Sequence, residues 1–304
     1  MKKGHKERAH SKFSASGSER WLHCAASVAL EESSPPSPDN AWAAEGTLAH
    51  EILELRLKGQ NLPTDNFDVT DEMVGFVQMA ARKIEIIEFE SQGNLTVEGR
   101  IYQSAIHPEM FGTCDAVVVQ DFGTLHIIDF KYGQGHIVDP VENTQLIQYA
   151  LGYAEKFNWN FYDVELHIMQ PRSGKNWHKS WKITCRELHD KWLPIWVKGV
   201  ERVERNDAPP FEGAWCHWCR AKTICPAKQE KNANKISEIF KQTPIERKNN
   251  GKKEESKKED CEEKGGKEGR EKSKTARPTN RFKNASDENR KRRAAESFGR
   301  RGTF

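Results

Sequence analysis

The sequence contains no apolar segment approaching the roughly 18 residues that a membrane-spanning helix needs. Its basic N-terminus, MKKGHKERAHSKFS, lacks the apolar core of a secretory signal peptide. A phosphate-binding motif of the form G-x-x-x-x-G-K-[ST] is also absent, which argues against a helicase motor of that type. We therefore expect a cytoplasmic protein with no membrane contact.

Aliphatic residues are scarce in the C-terminal quarter of the chain. Residues 231–304 contain 23 Lys and Arg against 13 Asp and Glu, whereas residues 1–230 contain 25 against 32. Such a segment cannot bury enough apolar surface to offset its chain entropy, so we predict a disordered, net basic tail. Its end, RKRRAAESFGRR, could attract nucleic acid or simply keep the protein soluble. This division predicts a flexible N-terminus over residues 1–12 and one mildly acidic domain over residues 13–230.

The chain has seven cysteines, an odd number, and in a reducing compartment grouped cysteines more often hold metal than form disulfides. Three of them, Cys216, Cys219 and Cys225, have the spacing C-x2-C-x5-C. Three thiolates are one short of a closed four-thiolate site, so a fourth ligand must come from elsewhere. The candidates are Cys24, Cys114, Cys185 and Cys261.

The distribution of apolar residues predicts helices followed by a mixed sheet. Ser16 and Glu19 have capping-box spacing, which predicts a helix from about residue 17. Further helices are predicted over AWAAEGTLAHEILELRLKG, ending at Gly59, and over residues 71–90. Three strands are predicted next, over residues 95–103, 113–119 and 125–131. A helix over residues 141–157 follows them, then two strands over residues 163–170 and 178–184. The last predicted helix covers residues 186–205. The class is α/β with a mixed central sheet and flanking helices.

The stretch GTCDAVVVQDFGTLHIIDFKYG, residues 112–133, predicts a β-hairpin with charges inside it. Asp121, Phe122 and Gly123 fit a three-residue turn in which the glycine adopts the left-handed conformation. The register that follows sets Asp115 directly opposite Asp129, with Lys131 on the same face. Opposed carboxylates about 5 Å apart repel each other, and a divalent cation between them would remove that repulsion. Alternatively, both acids are strand-end residues that face solvent, with Lys131 as a surface ion-pair partner.

These residues resemble a known family. Gly112-Thr-Cys-Asp115, Asp129-Phe-Lys131 and Gln145-Leu-Ile-Gln-Tyr149 are similar to the G-x-x-D, D-x-K and Q-x-x-x-Y motifs of the PD-(D/E)XK nuclease superfamily, in particular its RecB-like branch. The segment EGTLAHEILE resembles the helix on which that branch has a metal-binding histidine, here His50. The resemblance covers about residues 12–228 and implies a restriction-endonuclease-like core.

The resemblance implies a role for each matching residue. His50, Asp115, Asp129 and the Phe130 carbonyl would bind Mg²⁺ or Mn²⁺. Lys131 would orient or deprotonate the attacking water and stabilise negative charge in the transition state. Gln145 and Tyr149, one helical turn apart, would brace the lysine and the DNA backbone.

The cysteine pattern is similar to the iron-sulfur staple of the AddB nuclease domain and of CRISPR-associated RecB-like exonucleases. By this resemblance, Cys24 would join Cys216, Cys219 and Cys225 in holding a structural [4Fe-4S] cluster. Structural Zn²⁺ is the alternative, because four thiolates also suit that ion. Unliganded core cysteines are a third possibility.

The resemblance as a whole implies a metal-dependent deoxyribonuclease. By family analogy it would be an exonuclease of a phage or prophage that processes DNA ends, with a DNA end as substrate and a recombinase or single-strand-binding protein as a possible partner. The alternative is a catalytically silent nucleic-acid-binding or interaction protein on the same fold, acting through its basic tail. The segment PRSGKNWHK, with Arg172, Lys175 and Lys179, could supply a basic rim for phosphate binding.

Overall fold

The computed structural model describes residues 11–36, 40–62 and 68–242. Eight helices and five strands lie in these residues: α1 Ser18–His23, α2 Ser27–Glu32, α3 Ala41–Leu57, α4 Asp71–Ser91, β1 Asn94–Tyr102, β2 Phe111–Val119, β3 Thr124–Phe130, α5 Thr144–Lys156, β4 Asp163–Met169, β5 His178–Thr184, α6 Cys185–Glu187, α7 Leu193–Arg205 and α8 Pro226–Gln242. No helix in this part of the chain is long and apolar enough to cross a bilayer.

The five strands form one mixed sheet in the order β1-β2-β3-β4-β5. Strands β1, β2 and β3 form an antiparallel meander, and β4 and β5 are antiparallel as well. Strands β3 and β4 are parallel, so the chain must cross over between them, and α5 lies in that crossover. The α/β class and the mixed central sheet with flanking helices are confirmed.

Each face of the sheet packs against a different set of helices, because side chains alternate along a strand. One face packs against α5, with α7 beside α5 in the same apolar core, and the fully buried residues of this core include Leu125, Ile127, Leu146, Leu166 and Trp196. The opposite face packs against α3 and α4, and its fully buried residues include Ile52, Ile84, Val118, Ile128 and Phe130. The sheet is therefore the middle layer of a three-layer domain, and functional side chains at strand ends can meet residues from both helical layers.

Local signals explain where the helices on either side of the sheet begin and end. The Thr70 side chain accepts a hydrogen bond from the Met73 amide at the start of α4, and the Asn143 side chain caps α5 in the same way. Gly59, with φ +63°, follows the end of α3, as the sequence predicted. These caps determine the residues at which α4 and α5 begin.

Two local predictions are wrong. The Ser16–Glu19 capping box does not form, because Ala15–Gly17 is a 3₁₀ turn and α1 begins at Ser18, whose hydroxyl donates to the Ala15 carbonyl. In the β2–β3 turn, Phe122 rather than Gly123 adopts the left-handed conformation, with φ 54°. A Cβ at Gly123 would lie 2.2 Å from the Gln120 side-chain oxygen, so a larger residue there would displace the Gln120 side chain.

The predicted limits of the domain also need correction. Ser11 donates to the Glu109 carbonyl and Lys12 forms a 2.7 Å ion pair with Glu204, so residues 11 and 12 belong to the folded part. At the other end, α8 continues past residue 230 to Gln242 because its sequence contains no helix breaker after Pro226. The remainder of the predicted tail, including Cys261, and residues 1–10 lie outside the described residues.

We predict that Gly99→Ala destabilises the domain through one contact. A Cβ at residue 99 would lie 2.1 Å from the Tyr153 hydroxyl oxygen, and that hydroxyl is buried without a hydrogen-bond partner. Overpacking of this kind costs about 1–3 kcal/mol of unfolding free energy. On a Tyr153→Phe background the cost should fall, which denaturant unfolding of the four chains in a double-mutant cycle would measure. An equal cost on both backgrounds would contradict the contact.

Candidate functional site

The predicted site residues meet at the end of the β2–β3 hairpin that is farther from the turn. Ala116 pairs with Ile128 and Val119 with Leu125, so the predicted register is confirmed over these pairs. The pairing ends at Ala116–Ile128, and Asp115 and Asp129 are the next residues outward on the two strands. Helix α3 approaches this end from one face and α5 from the other, which brings His50 and Gln145 to the two acids.

His50 and the Phe130 backbone hold the Asp115 carboxylate. The His50 Nδ1 atom lies 3.1 Å from Asp115 Oδ1, and the Phe130 amide donates to Asp115 Oδ2 at 2.7 Å. Burial lowers the pKa of His50, but the adjacent carboxylate outweighs it and the pKa is raised. Burial raises the pKa of Asp115, but His50 and the Phe130 amide outweigh it and the pKa is lowered. These directions favour an imidazolium–carboxylate pair.

A third residue at this point, Glu98, was missed by the sequence analysis. It lies in β1 between the pairs Val97–Ala116 and Gly99–Cys114, and so opposite Asp115. Ligand atoms of His50, Glu98 and Asp115 all lie within 4.8 Å of one another. Glu98 has φ 51°, a conformation that costs energy for a non-glycine residue and is concentrated at functional sites. The available signal was an acid inside the strand-forming run LTVEGRIYQ.

Asp129, Lys131 and Gln145 form a closed set of contacts beside this trio. Lys131 Nζ lies 2.9 Å from Asp129 Oδ2 and donates to Gln145 Oε1 at 3.1 Å. Gln145 Nε2 donates to Asp129 Oδ1 at 2.8 Å and lies 3.4 Å from the Tyr149 hydroxyl. The Gln145 oxygen therefore accepts from Lys131 while its nitrogen donates to Asp129, so that one amide orients both side chains.

The two opposed acids have opposite pKa shifts. Burial raises the pKa of Asp129, and although Lys131 lowers it, the nearby Asp115 charge adds to the rise. Burial lowers the pKa of Lys131, but the charge and hydrogen bond of Asp129 outweigh it, so that pKa is raised. The site therefore concentrates three carboxylates, an imidazole and an ammonium group at one end of an apolar sheet.

The donor atoms of the site suit a hard divalent cation. Carboxylate oxygens with one imidazole are ligands that Mg²⁺ and Mn²⁺ accept. The trio of His50, Glu98 and Asp115 is one of two groups with metal-binding geometry in the described part of the chain. Side-chain exposure of 24% at His50 and 14% at Asp115 leaves a path for an ion and for water.

The structure brings the N-terminal cysteine to the C-terminal ones. The imidazole of His23, adjacent to Cys24, stacks on Trp215, adjacent to Cys216, with 4.4 Å between ring centroids. Burial is the main cause that raises the pKa of the Cys24 thiol, and the neighbouring Cys216 and Cys225 add to it. Cys185 lies elsewhere, against the Trp159 carbonyl, and Cys114 is buried within the sheet.

Backbone amides point at two of these sulfur atoms. The Phe211 amide donates to Cys24 Sγ at 3.4 Å, and the Gly213 amide donates to Cys216 Sγ at 3.5 Å. Among residues 11–36, 40–62 and 68–242, no three cysteine sulfurs lie within 4.8 Å of one another.

The predicted basic rim is largely paired with acids. Arg172 forms a 3.1 Å ion pair with Glu45, and Lys179 forms one with Asp139 at the same distance. Lys175 is exposed. The segment therefore offers less free positive charge than its sequence indicates.

Comparisons with known proteins identify a family but not an activity. A solved structure titled "Crystal structure of SSO0001" is similar at 12% sequence identity and a TM-score of 0.37, over 74% of this chain and 91% of that chain. A family model described as "Protein of unknown function (DUF2800)" matches residues 10–262. Because this match spans most of the sequence, the chain belongs to the DUF2800 family.

Proposed function

We propose that the protein is a metal-dependent deoxyribonuclease with a PD-(D/E)XK active site on a restriction-endonuclease-like core. The observation that carries this proposal is the convergence of His50, Glu98 and Asp115 beside the Asp129–Lys131–Gln145 set. These residues come from three strands and two helices that are far apart in sequence. A structural role alone would not require two opposed acids at the end of an apolar sheet.

Each residue has a role in phosphodiester hydrolysis. His50, Glu98 and Asp115, with Asp129 and the Phe130 carbonyl, would hold Mg²⁺ or Mn²⁺, which lowers the pKa of water and polarises the phosphate. Asp129 and Gln145 hold the Lys131 ammonium group in position. That group orients the attacking water and stabilises the negative charge that develops on phosphate oxygens. Water loses a proton and forms the new P–O bond, and the leaving sugar oxygen takes up a proton from solvent as its bond to phosphorus breaks.

The element order supports the proposed core. Helices, a three-stranded antiparallel meander, the crossover helix α5 and a parallel fourth strand follow one another as the resemblance implies. The hairpin contributes both acids and the lysine, and α5 contributes the glutamine. The exonuclease assignment rests on the family resemblance alone.

We further propose that Cys24, Cys216, Cys219 and Cys225 hold a [4Fe-4S] cluster with a structural role. The approach of Cys24 to Cys216 and Cys225 supports a common thiolate site, as do the backbone amides directed at the Cys24 and Cys216 sulfur atoms. The choice of a cluster over zinc rests on the family resemblance.

The experiment that tests the function measures nucleotide release from linear single-stranded DNA, linear double-stranded DNA and covalently closed circles. The full chain should act only with Mg²⁺ or Mn²⁺, and resistance of the closed circles would support the exonuclease assignment. A chain ending at Gln242, which keeps α8 whole, tests the alternative of a silent binding protein. If the full chain binds DNA through residues 243–304 but releases no nucleotide with either metal, the nuclease proposal is wrong.

We predict that Glu98→Gln weakens binding of Mn²⁺. The substitution keeps the side-chain volume but removes an anionic oxygen from the trio with His50 and Asp115. Loss even of an outer-shell partner typically weakens metal binding by ~10–100-fold, so an effect of at least this size is expected. Calorimetric titration of Mn²⁺ would measure it, with Glu90→Gln, an exposed acid at the end of α4, as the matched control. Equal affinity in both variants would remove Glu98 from the site.

A further inference from the structure

A second cluster of imidazole and carboxylate groups lies on the sheet face that packs against α3 and α4. It consists of His126 on β3, Glu165 and His167 on β4, and His178 on β5. His126 shares its face with Ile128 and Phe130, which belong to the apolar core beneath α3 and α4. His126 is 9% exposed and His167 2%, so two imidazoles are buried where the apolar core would accept aliphatic side chains.

The distances within this cluster match those between ligands of one metal ion. His126 Nδ1 lies 3.1 Å from His167 Nε2 and 3.6 Å from Glu165 Oε2, and the three ligand atoms all lie within 4.8 Å of one another. Ligands about 2.0–2.1 Å from a tetrahedral Zn²⁺ lie about 3.3 Å apart. The two shorter spacings are therefore close to those between ligands of one zinc ion.

His178 completes the arrangement as an outer partner. The Nδ1 atom of His167 lies 3.1 Å from His178 Nε2. If His167 donates its Nδ1 proton to His178, its Nε2 lone pair points at the centre of the cluster. Metal-binding histidines usually donate their second ring N–H to such an acceptor, which fixes the tautomer. The neighbouring strands β4 and β5 therefore supply both the metal ligand, His167, and its hydrogen-bond partner, His178.

The charges around the cluster agree with neutral imidazoles. Burial is the main cause that lowers the pKa of His126, His167 and His178. Glu165 raises the pKa of His126, whereas Lys182 on β5 lowers it. His126, His178 and Lys83 on α4 lower the pKa of His167 further. Lys83 also lowers the pKa of His178, and Glu165 raises it. Neutral imidazoles have the free lone pairs that metal binding requires.

We propose that His126, Glu165 and His167 form a binding site for a first-row transition metal ion, best suited to Zn²⁺, with water as the fourth ligand. Two imidazoles and one carboxylate are a known zinc ligand set, whereas Mg²⁺ and Ca²⁺ prefer oxygen ligands. The site is separate from the one at Asp129, which lies three residues, or about 10 Å, farther along β3. A metal ion here links β3 to β4 and strengthens the parallel crossover.

The test measures bound zinc per chain after equilibrium dialysis at micromolar free Zn²⁺. Four full-length chains are compared: the wild type, His126→Gln, Glu165→Gln and, as a matched control, His189→Gln, whose imidazole is exposed and pairs with Asp190. We expect one zinc fewer in His126→Gln and Glu165→Gln than in the other two. Zn²⁺ should raise the melting temperature of the wild type and of His189→Gln more than that of either cluster variant.

The comparison does not depend on the cysteines or on nuclease activity. If the thiolates also hold zinc, all four chains contain that additional ion. The two cluster variants would still bind one zinc ion fewer per chain than the wild type. Asp115→Asn should keep the histidine-site zinc even if it abolishes DNA hydrolysis. Should His126→Gln lose its helical circular dichroism, Glu165→Gln decides, because the Glu165 side chain is partly exposed at 26%. Equal zinc content in the wild type and Glu165→Gln would overturn the proposal and leave a plain histidine hydrogen-bond chain.

Discussion

Lys131→Ala should reduce Mg²⁺- or Mn²⁺-dependent release of nucleotides from linear DNA by about 10²–10⁴-fold, the usual effect of losing a proton-transfer or charge-stabilising group. Asp129 and Gln145 hold the Lys131 ammonium group in place. Among the described hydrogen bonds and ion pairs of these two residues, no second lysine or arginine could take its place. Initial rates at saturating metal would measure the loss. DNA binding should change little, because one charge is a small part of phosphate affinity.

The matched control is Lys198→Ala, which removes an exposed lysine on α7 and should leave the rate unchanged. Lys131→Arg keeps a positive charge but changes its shape, so it separates charge from placement. Activity of Lys131→Ala equal to that of the wild type would falsify the catalytic assignment. Because Lys131 is an end-of-strand residue, circular dichroism should confirm that all three variants fold.

Cys24→Ser should abolish the iron content of the anaerobically purified protein. We expect the wild type to be brown with about four iron and four sulfide per chain, and the variant to be colourless, since a four-thiolate cluster rarely survives loss of one ligand. Ligand binding energy is folding energy when the site exists only in the folded state. The variant should therefore also melt at a lower temperature and be cut sooner by protease near residues 206–225.

Cys185→Ser is the matched control, because Cys185 is a partly buried thiol that contacts the Trp159 carbonyl. It should keep both colour and iron. A colourless wild type with one zinc per chain would favour the zinc alternative. A wild type without either metal would leave the four thiols as core cysteines.

The hairpin shows how far sequence reasoning reached. A turn of three residues between two apolar runs determines the register, and the pairs from Ala116–Ile128 to Val119–Leu125 follow it. The prediction held although the left-handed residue is Phe122 and not Gly123, because either position gives the same turn length. Register depends on how many residues turn and not on which of them takes the unusual conformation.

Glu98 shows where sequence reasoning stopped. Its contact with the His50–Asp115 pair depends on the β1–β2 register, and no short turn fixes that register because eight residues separate the strands. The histidine cluster was missed for a similar reason. His126 and His167 meet only because β3 and β4 are parallel neighbours, a pairing that a crossover connection of any length permits.

The limit of the domain was misjudged for a different reason. The average composition of residues 231–304 hides a difference within them, because residues 231–242 contain Ile236, Ile239 and Phe240, whereas residues 243–304 contain one Ile and three Phe. Residues 231–242 continue α8, since adding a residue to an existing helix requires no new nucleation. A charged composition therefore predicts exposure correctly but places the boundary of the folded part too early.

The contact between the two ends of the domain, where His23 stacks on Trp215, also constrains when folding can finish. The Arg220 amide donates to Glu31 at 2.8 Å across 189 residues of sequence, and the Cys24 side of the cysteine cluster lies in the same N-terminal region. During synthesis, α1 and α2 emerge first and must wait for nearly the whole domain before their partner appears. A nascent chain that ends before residue 225 would have its sheet but would lack the contacts between the N-terminal helices and residues 206–225. We expect the ribosome-bound chain to become protease-resistant only after residue 225 has emerged.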